Sequence, residues 1–351
     1  MAFLYSRVLK PILFLFDAEF IHEVFISVGE FLGRFRITRK IVSIFYGYRG
    51  GDISRTIDGI TYKSPILLSA GFDYNGRLTQ ILSSVGFGGE EVGSVTARPC
   101  AGNPKPRLTR LKKSKGILVY KGLRNDGVEV VMKRLKARRA TKDFIVGVSI
   151  AKTNDEVCAT VEGGIEDYLY SYRRLNEESA GDYYAINISC PNSFGGETFT
   201  TAPLLEKLLS ALSTIKTNKP VYLKMPINLE WNDFESLIDV AKKFSFIRGF
   251  IIGNLNKNYS ELDFTEEAPK EYRGGVSGKA TFARSNNLIQ KTRAKVGKSM
   301  TIWGCGGILS ADDAEAKTNA GADAIQLITG MIFTGPHLVK NICHAIAKKQ
   351  K

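Results

Sequence analysis

The sequence predicts a parallel (β/α)8 barrel with an N-terminal amphipathic helical extension, and three observations lead there. After residue 50, eight short β-branched or apolar runs alternate with helix-length segments. Polar residues repeatedly close those runs. Residues 1–48 follow a different, helical pattern rich in bulky apolar and basic side chains. Strand and helix in alternation call for a parallel sheet with helical crossovers, and eight strands suffice to close it. A doubly wound open sheet is the competing architecture that the same alternation permits.

Within residues 1–48, Phe3, Leu4, Val8, Leu9, Ile12, Leu13 and Phe16 recur at helical spacing, and Phe20, Ile21, Val24, Phe25, Val28, Phe31 and Leu32 form a second stripe. Arg7, Lys10, Arg34, Arg36, Arg39 and Lys40 border them. That composition fits a helical pair lying on an anionic membrane, or a helical flap packed on the parent domain. Residues 49–351 read as one barrel domain. Strands are expected at 65–69, 89–95, 144–150, 183–188, 221–224, 249–252, 301–304 and 324–327, and helices at 76–85, 127–139, 165–178, 203–216, 232–243, 281–296 and 311–319. In a barrel, catalytic groups gather at the C-terminal strand ends. Here those ends carry Gly71-Phe72-Asp73, Gly93-Ser94-Val95-Thr96, Asn187 to Asn192, Lys224 and Asn254.

At 351 residues, 44% hydrophobic and 24% charged, the chain is a core-forming protein, which excludes disordered, collagen-like and disulfide-scaffold classes. Lys and Arg number 49 against 35 for Asp and Glu, a balance of +14 that favours anionic ligands or surfaces. The five cysteines form no CxxC pair and the three histidines are scattered, so no metal site is expected, and reduced thiols are. No apolar run reaches spanning length, and no signal-peptide order opens the chain. Basic runs such as Lys112 to Lys115 read as solvated faces, without the interleaved aromatics of a nucleic-acid stripe.

Gly304-Cys305-Gly306-Gly307 directly follows an expected strand and precedes Ser310 and a helix, the setting in which close backbone approach and helix-end amides hold phosphate. Leu327-Ile328-Thr329-Gly330 repeats the arrangement after the next strand, as a phosphate site shared by the last two strands requires. Gly274-Gly275-Val276-Ser277-Gly278 reads as a further flexible anion-approach loop or an ordinary turn. None matches the phosphate loop of nucleotide hydrolases. Cys190, in Asn187-Ile188-Ser189-Cys190-Pro191-Asn192, is either a buried inert thiol or a base acting on substrate carbon, with asparagines beside it for a planar amide ring.

These motifs resemble the dihydroorotate dehydrogenases over almost the whole chain. The resemblance rests on Leu68 to Gly76, Gly93 to Pro99, Gly102 to Arg107, Asn187 to Asn192, Gly275 to Gly278 and Gly304 to Gly307. Phe16-Asp17-Ala18-Glu19-Phe20-Ile21-His22-Glu23 is similar to the extension of the quinone-linked, membrane-associated class. The resemblance implies FMN as cofactor, oxidation of dihydroorotate to orotate, quinone as electron acceptor, and a peripheral place on the cytoplasmic side of a membrane. Matching positions put Ala70, Gly71, Ser94, Asn187, Lys224, Ser277, Gly278, Gly306, Gly307 and Thr329 around FMN. They put Cys190 as catalytic base, Asn187, Asn192 and Asn254 on the pyrimidine ring, and Arg110 toward the quinone tunnel.

The chain departs from the family pattern in the substrate pocket. Cys190 is the base of the soluble classes, where the quinone-linked class has serine. Tyr74 stands where a substrate-binding lysine is expected, Val119 where an asparagine is, and Leu255 where a hydroxyl is. Two functions follow: a dihydroorotate dehydrogenase in which Lys121, Arg124 or Lys152 compensates, or a paralogous FMN oxidoreductase acting on a different, uncharged dihydro-ring or enone.

Overall fold

The computed structural model describes residues 2–138, 143–190, 192, 194, 196–259 and 273–350. The N-terminal layer begins with α1 (Ala2–Leu4), which passes through a π-helical turn, Tyr5–Leu9, into α2 (Lys10–Leu13). Asp17 then caps α3 (Ala18–Arg34), its carboxylate accepting from the Phe20 amide at 2.8 Å. An extended residue, Phe35, separates α3 from α4 (Arg36–Tyr46), so α4 is a helix beyond the stretches that the two apolar stripes announced.

A hairpin of β1 (Arg55–Ile57) and β2 (Ile60–Tyr62) leads into the barrel. Its turn residue Asp58 accepts hydrogen bonds from the Tyr222 and Thr301 hydroxyls at 2.7 and 2.8 Å, which fastens the hairpin beneath the N-terminal strand ends. The barrel then opens with β3 (Ile66–Leu68) and β4 (Gly89–Val95), followed by an antiparallel ribbon of β5 (Leu108–Leu111) and β6 (Gly116–Val119). The alternation resumes with α5 (Val128–Ala137), β7 (Ile145–Ile150), α6 (Val161–Glu177), β8 (Tyr183–Asn187), α7 (Ala202–Leu212), β9 (Val221–Met225), α8 (Trp231–Lys242) and β10 (Ile247–Ile252). After β11 (Gly275–Gly278) come α9 (Phe282–Val296), β12 (Thr301–Cys305), α10 (Ala311–Asn319), β13 (Ala324–Leu327), α11 (Thr329–Thr334) and α12 (His337–Lys349). Eight parallel strands close in the order β3-β4-β7-β8-β9-β10-β12-β13, which is the expected barrel and excludes the open sheet.

Two expected elements take another form. Residues 76–85 hold only one tight turn, Leu82–Val85, because the Asp73 carboxylate captures the amides of Asn75 and Leu78 at 3.2 and 2.5 Å and Gly76 turns left-handed at φ +70. The glycines at 274–278 do not form a loop. Gly275–Gly278 pairs antiparallel with β6, adding a third strand to the ribbon that stands over the barrel mouth. Arg139, the last residue of an expected helix, and Pro191 lie outside the described residues.

Side chains alternate across each strand, so every second residue of β8, β9 and β12 faces the barrel axis. The lower interior is filled by Tyr62, Tyr183, Tyr222 and Trp303, with Tyr62 and Trp303 ring centroids 5.2 Å apart and Tyr183 and Tyr222 5.3 Å apart. Further along the same faces stand Lys224 and Cys305, two residues on, and Asn187, four residues on. Aromatic bulk thus closes the bottom and leaves the C-terminal end of the barrel as the place where polar groups meet a ligand.

Candidate active site

A cavity of about 340 Å³ opens at that end. Ala70, Gly71, Lys224, Asn254, Ser277, Gly278, Gly306, Gly307 and Thr329 line its floor, and Tyr74 its side. It continues upward between the barrel and the N-terminal layer, past Phe14, Ile21, His22, Phe25 and Arg110. The Arg110 guanidinium lies 4.7 Å over the Phe14 ring and donates to the Phe16 carbonyl at 2.7 Å. Burial pulls its pKa down, with Asp17 opposing.

The floor fits a phosphate-bearing ligand. Gly306 and Gly307 hold φ at +95 and +75, and a Cβ at Gly307 would stand 2.5 Å from that of Phe282. At Gly330 a Cβ would stand 1.8 Å from the Ile308 carbonyl oxygen, so only glycine lets the start of α11 meet the Gly306–Ile308 turn. Ser277 and Thr329 hydroxyls meet at 2.8 Å across the same floor.

Lys224 enters from β9 and is buried in a network that the residue spacing did not reveal. Its ammonium lies 3.1 Å from Glu91 Oε1 and 3.5 Å from Ser69 Oγ. Gln326 donates to Glu91 at 3.0 Å, and Ser69 donates to Gln326 Oε1 at 3.2 Å. The available signal was polarity inside strands otherwise read as buried: Glu91 within 89–95 and Gln326 within 324–327.

Ser94, Asn187, Asn192 and Cys190 do not line this cavity among the described residues. Asn187 donates to Ser94 Oγ at 2.8 Å, and Ser94 and Ser149 hydroxyls meet at 2.7 Å. Asn187 Oδ1 accepts from both the amide and the hydroxyl of Ser189, at 3.1 and 2.9 Å, and Asn254 donates to the Ser189 carbonyl at 2.8 Å. Ser149 and Ser189 thereby join the predicted residues into one chain. Asn192 donates to the Val119 carbonyl at 2.9 Å, while its Oδ1 is buried with no partner among the described residues. Cys190 lines a neighbouring niche of about 10 Å³ with Lys152, Tyr168 and Thr198. Burial pushes its thiol up to about 11, with the Asn192 backbone amide pulling the other way.

The three cations expected to compensate for Tyr74 are engaged elsewhere. Lys121 is 2.9 Å from Glu19 Oε1, Arg107 is 2.8 Å from the same oxygen, and Arg124 pairs with Glu23. Lys152 donates to the Cys158 and Phe194 carbonyls and to Thr198 Oγ1, at 3.0, 3.1 and 2.8 Å. The carboxylates come from α3, so the ion cluster clamps the N-terminal layer onto the barrel beside Tyr74. His22, on the same helix, shares a hydrogen bond of 2.8 Å with the Phe72 carbonyl. Burial pushes its pKa down to about 4, so the ring is neutral at pH 7 and Nε2 carries the donated proton.

Comparison with known proteins agrees with this architecture. The family model for dihydroorotate dehydrogenase matches residues 53–349. A protein of Christiangramia forsetii named dihydroorotate dehydrogenase (quinone) is 34% identical over 99% of this chain and 99% of its own length. One of the same name from Aliivibrio salmonicida is 35% identical over 97% of this chain and 99% of its own. Among solved structures, a ligand-free dihydroorotate dehydrogenase from Eimeria tenella superposes with a TM-score of 0.76 at 25% identity, covering 89% of this chain and 93% of that one. A family model that spans the barrel and relatives matched end to end make this chain a member of the dihydroorotate dehydrogenase family.

Proposed function

We propose that this protein binds FMN on the barrel floor, oxidises dihydroorotate to orotate and passes the electrons to a quinone at a membrane surface. The carrying observation is the continuity of one cavity from the glycine floor and Lys224 to the apolar side chains of the N-terminal layer. FMN when bound supplies hydride acceptance from substrate and electron transfer to a quinone. Lys224 offers a fixed cation to charge developing at the ring, and Glu91 holds that cation in place. Asn192 Oδ1, buried without a partner among the described residues, fits an N–H of a planar amide ring, and Asn187 and Asn254 are the other amides offered to that ring. Cys190 serves as the base that takes a proton from substrate carbon. The upper cavity, lined by Phe14, Ile21 and Phe25, is apolar there and suits an apolar quinone head.

No helix among the described residues is long and apolar enough to cross a membrane. Leu15 is 80% exposed, Ile37 75% and Phe20 57%, and Arg7, Arg36 and Lys40 share their helices or adjoining turn, which supports peripheral contact with anionic lipid.

A second reading, an uncharged dihydro-ring substrate, has one observation in its favour: Lys121 and Arg124, near Tyr74, are already paired with Glu19 and Glu23. A carboxylate left without charged donors in a partly dry pocket is costly. Anaerobic addition of dihydroorotate to FMN-loaded protein should bleach the flavin, and a short-chain quinone should restore it. Titration with orotate and its decarboxylated analogue separates the two substrates. Tight orotate binding supports the first reading; response to the analogue alone supports the second, and Tyr74→Lys should then create orotate affinity.

A further inference from the structure

Behind the Gly306–Gly307 turn, on the side away from the cavity, a lysine is buried without a carboxylate partner. Lys317 belongs to α10 and is wholly removed from solvent. Its ammonium donates to Ser285 Oγ at 3.0 Å, reaches the Cys305 carbonyl at 3.4 Å and lies 5.1 Å over the Phe282 ring. Ser285 Oγ itself donates to the Cys305 carbonyl at 2.5 Å. Among the described residues no Asp or Glu lies within ion-pair distance of it. The titratable groups facing it are the Cys305 thiol, from β12, and the Asp313 carboxylate, from its own helix. Asp313 Oδ2 is taken by the Leu309 amide at 2.9 Å, and the other side chains against the lysine, Ser285, Phe282 and Ala322, carry no charge.

A buried ammonium without a counter-charge is disfavoured, and burial holds this one down to about 7. The carbonyl that receives it belongs to the residue immediately before the two cavity-lining glycines. A dianion held at that turn would be the missing counter-charge, separated from the ammonium by one stretch of backbone in a medium that screens poorly.

We propose that Lys317 is the charge partner of the cofactor phosphate, acting through the glycine turn without touching the ligand, and that phosphate binding is coupled to uptake of one proton by Lys317. The proton comes from solvent and adds to the free amine lone pair of Nζ; nothing is oxidised or reduced. Lys317 is thus a positioning residue, and the inference rests on the FMN reading above. Coupling is reciprocal: whatever raises proton affinity at Lys317 is raised equally in phosphate affinity by protonation. FMN affinity is therefore highest between about pH 6, where the phosphate gains its second charge, and the flavin-free value of Lys317, and it falls above that value by about tenfold per pH unit.

Calorimetry on flavin-free, full-length protein, in buffers of different ionisation enthalpy, counts the protons directly. At pH 8, where the FMN phosphate is already dianionic, FMN should take up close to one proton per site and riboflavin none. At pH 6 the uptake should disappear and give way to a net release, because the phosphate, about half monoanionic there, binds as the dianion. Lys317→Met should abolish the uptake and the pH slope and weaken FMN while leaving riboflavin affinity within about twofold. Loss of FMN and riboflavin alike in that variant means a packing role and overturns the proposal. FMN binding to the unmodified protein at pH 8 without proton uptake overturns it too, whether or not the variant folds. If the unmodified protein binds neither flavin, the cofactor reading itself fails and this inference falls with it.

Discussion

Lys224 Nζ and Glu91 Oε1 lie 3.1 Å apart inside the barrel, one residue from β9 and one from β4, at 3% and 1% exposure. Breaking such a pair leaves an uncompensated buried charge, which costs about 3–5 kcal/mol. Glu91→Gln and Lys224→Met should each lower unfolding free energy by about that amount in urea titrations. The double variant should lose less than the sum, since no charge is then left unpaired. Additive losses would mean the two charges do not depend on each other.

The Cys190 thiol, pushed up to about 11 by burial, is protonated at neutral pH. A base must be deprotonated to act, so substrate reduction of the flavin should accelerate about tenfold per pH unit between pH 6 and 9. Cys190→Ala should slow that half-reaction about 10²-fold or more while FMN still binds. Stopped-flow absorbance measures both, and a pH-independent rate in the unmodified protein would assign the proton to another group.

Glu19 and Glu23 tie α3 to the barrel. Burial pushes both carboxyls up, but hydrogen bonds from Lys121 and Arg107 to Glu19, and from Arg124 to Glu23, pull harder and hold them below the ordinary range. Their contribution is complete above the unfolded carboxylate value of about 4.3 and is lost as pH falls through the lower folded values. Hydrogen exchange should therefore show α3 protected at neutral pH and opening at pH below about 4. Glu19→Gln should open it at neutral pH as well, because Lys121 and Arg107 lose their shared partner.

The most exposed apolar side chains of the N-terminal layer include Leu15, at 80%, and Ile37, at 75%. Replacing both by Glu removes apolar insertion and adds charge repelled by anionic lipid. Flotation with anionic vesicles should show binding reduced about tenfold or more, with flavin reduction by substrate unchanged. Equal flotation of variant and parent would leave these helices as a packing layer only.

Much of this protein is legible along the chain. Strands 89–95 and 324–327 and helix 311–319 have the bounds read from the sequence, because glycine and polar residues mark their ends. Ser310 is a clear instance: its hydroxyl caps α10 by accepting from the Asp313 amide at 3.1 Å. Gly275–Gly278 was hidden because its partner, β6, lies about 160 residues earlier, as Ser277 opposite Ile117 shows, and glycine density carries no strand signal.

The sequence by itself determined the barrel, the glycine floor and the presence of Lys224, Cys190 and the asparagines, since alternation and strand-end chemistry are local. Which charges face which others was decided only by the tertiary structure. Lys121 and Arg124 are spent on Glu19 and Glu23, about a hundred residues away, and Lys224 meets Glu91 across the barrel. Lys317 reads as an ordinary helix lysine until closure of β12 against α9 and α10 buries it behind the glycine turn. Periodicity assigns a face to each side chain, but the balance of desolvation against partners that sets its charge exists only once distant segments have packed.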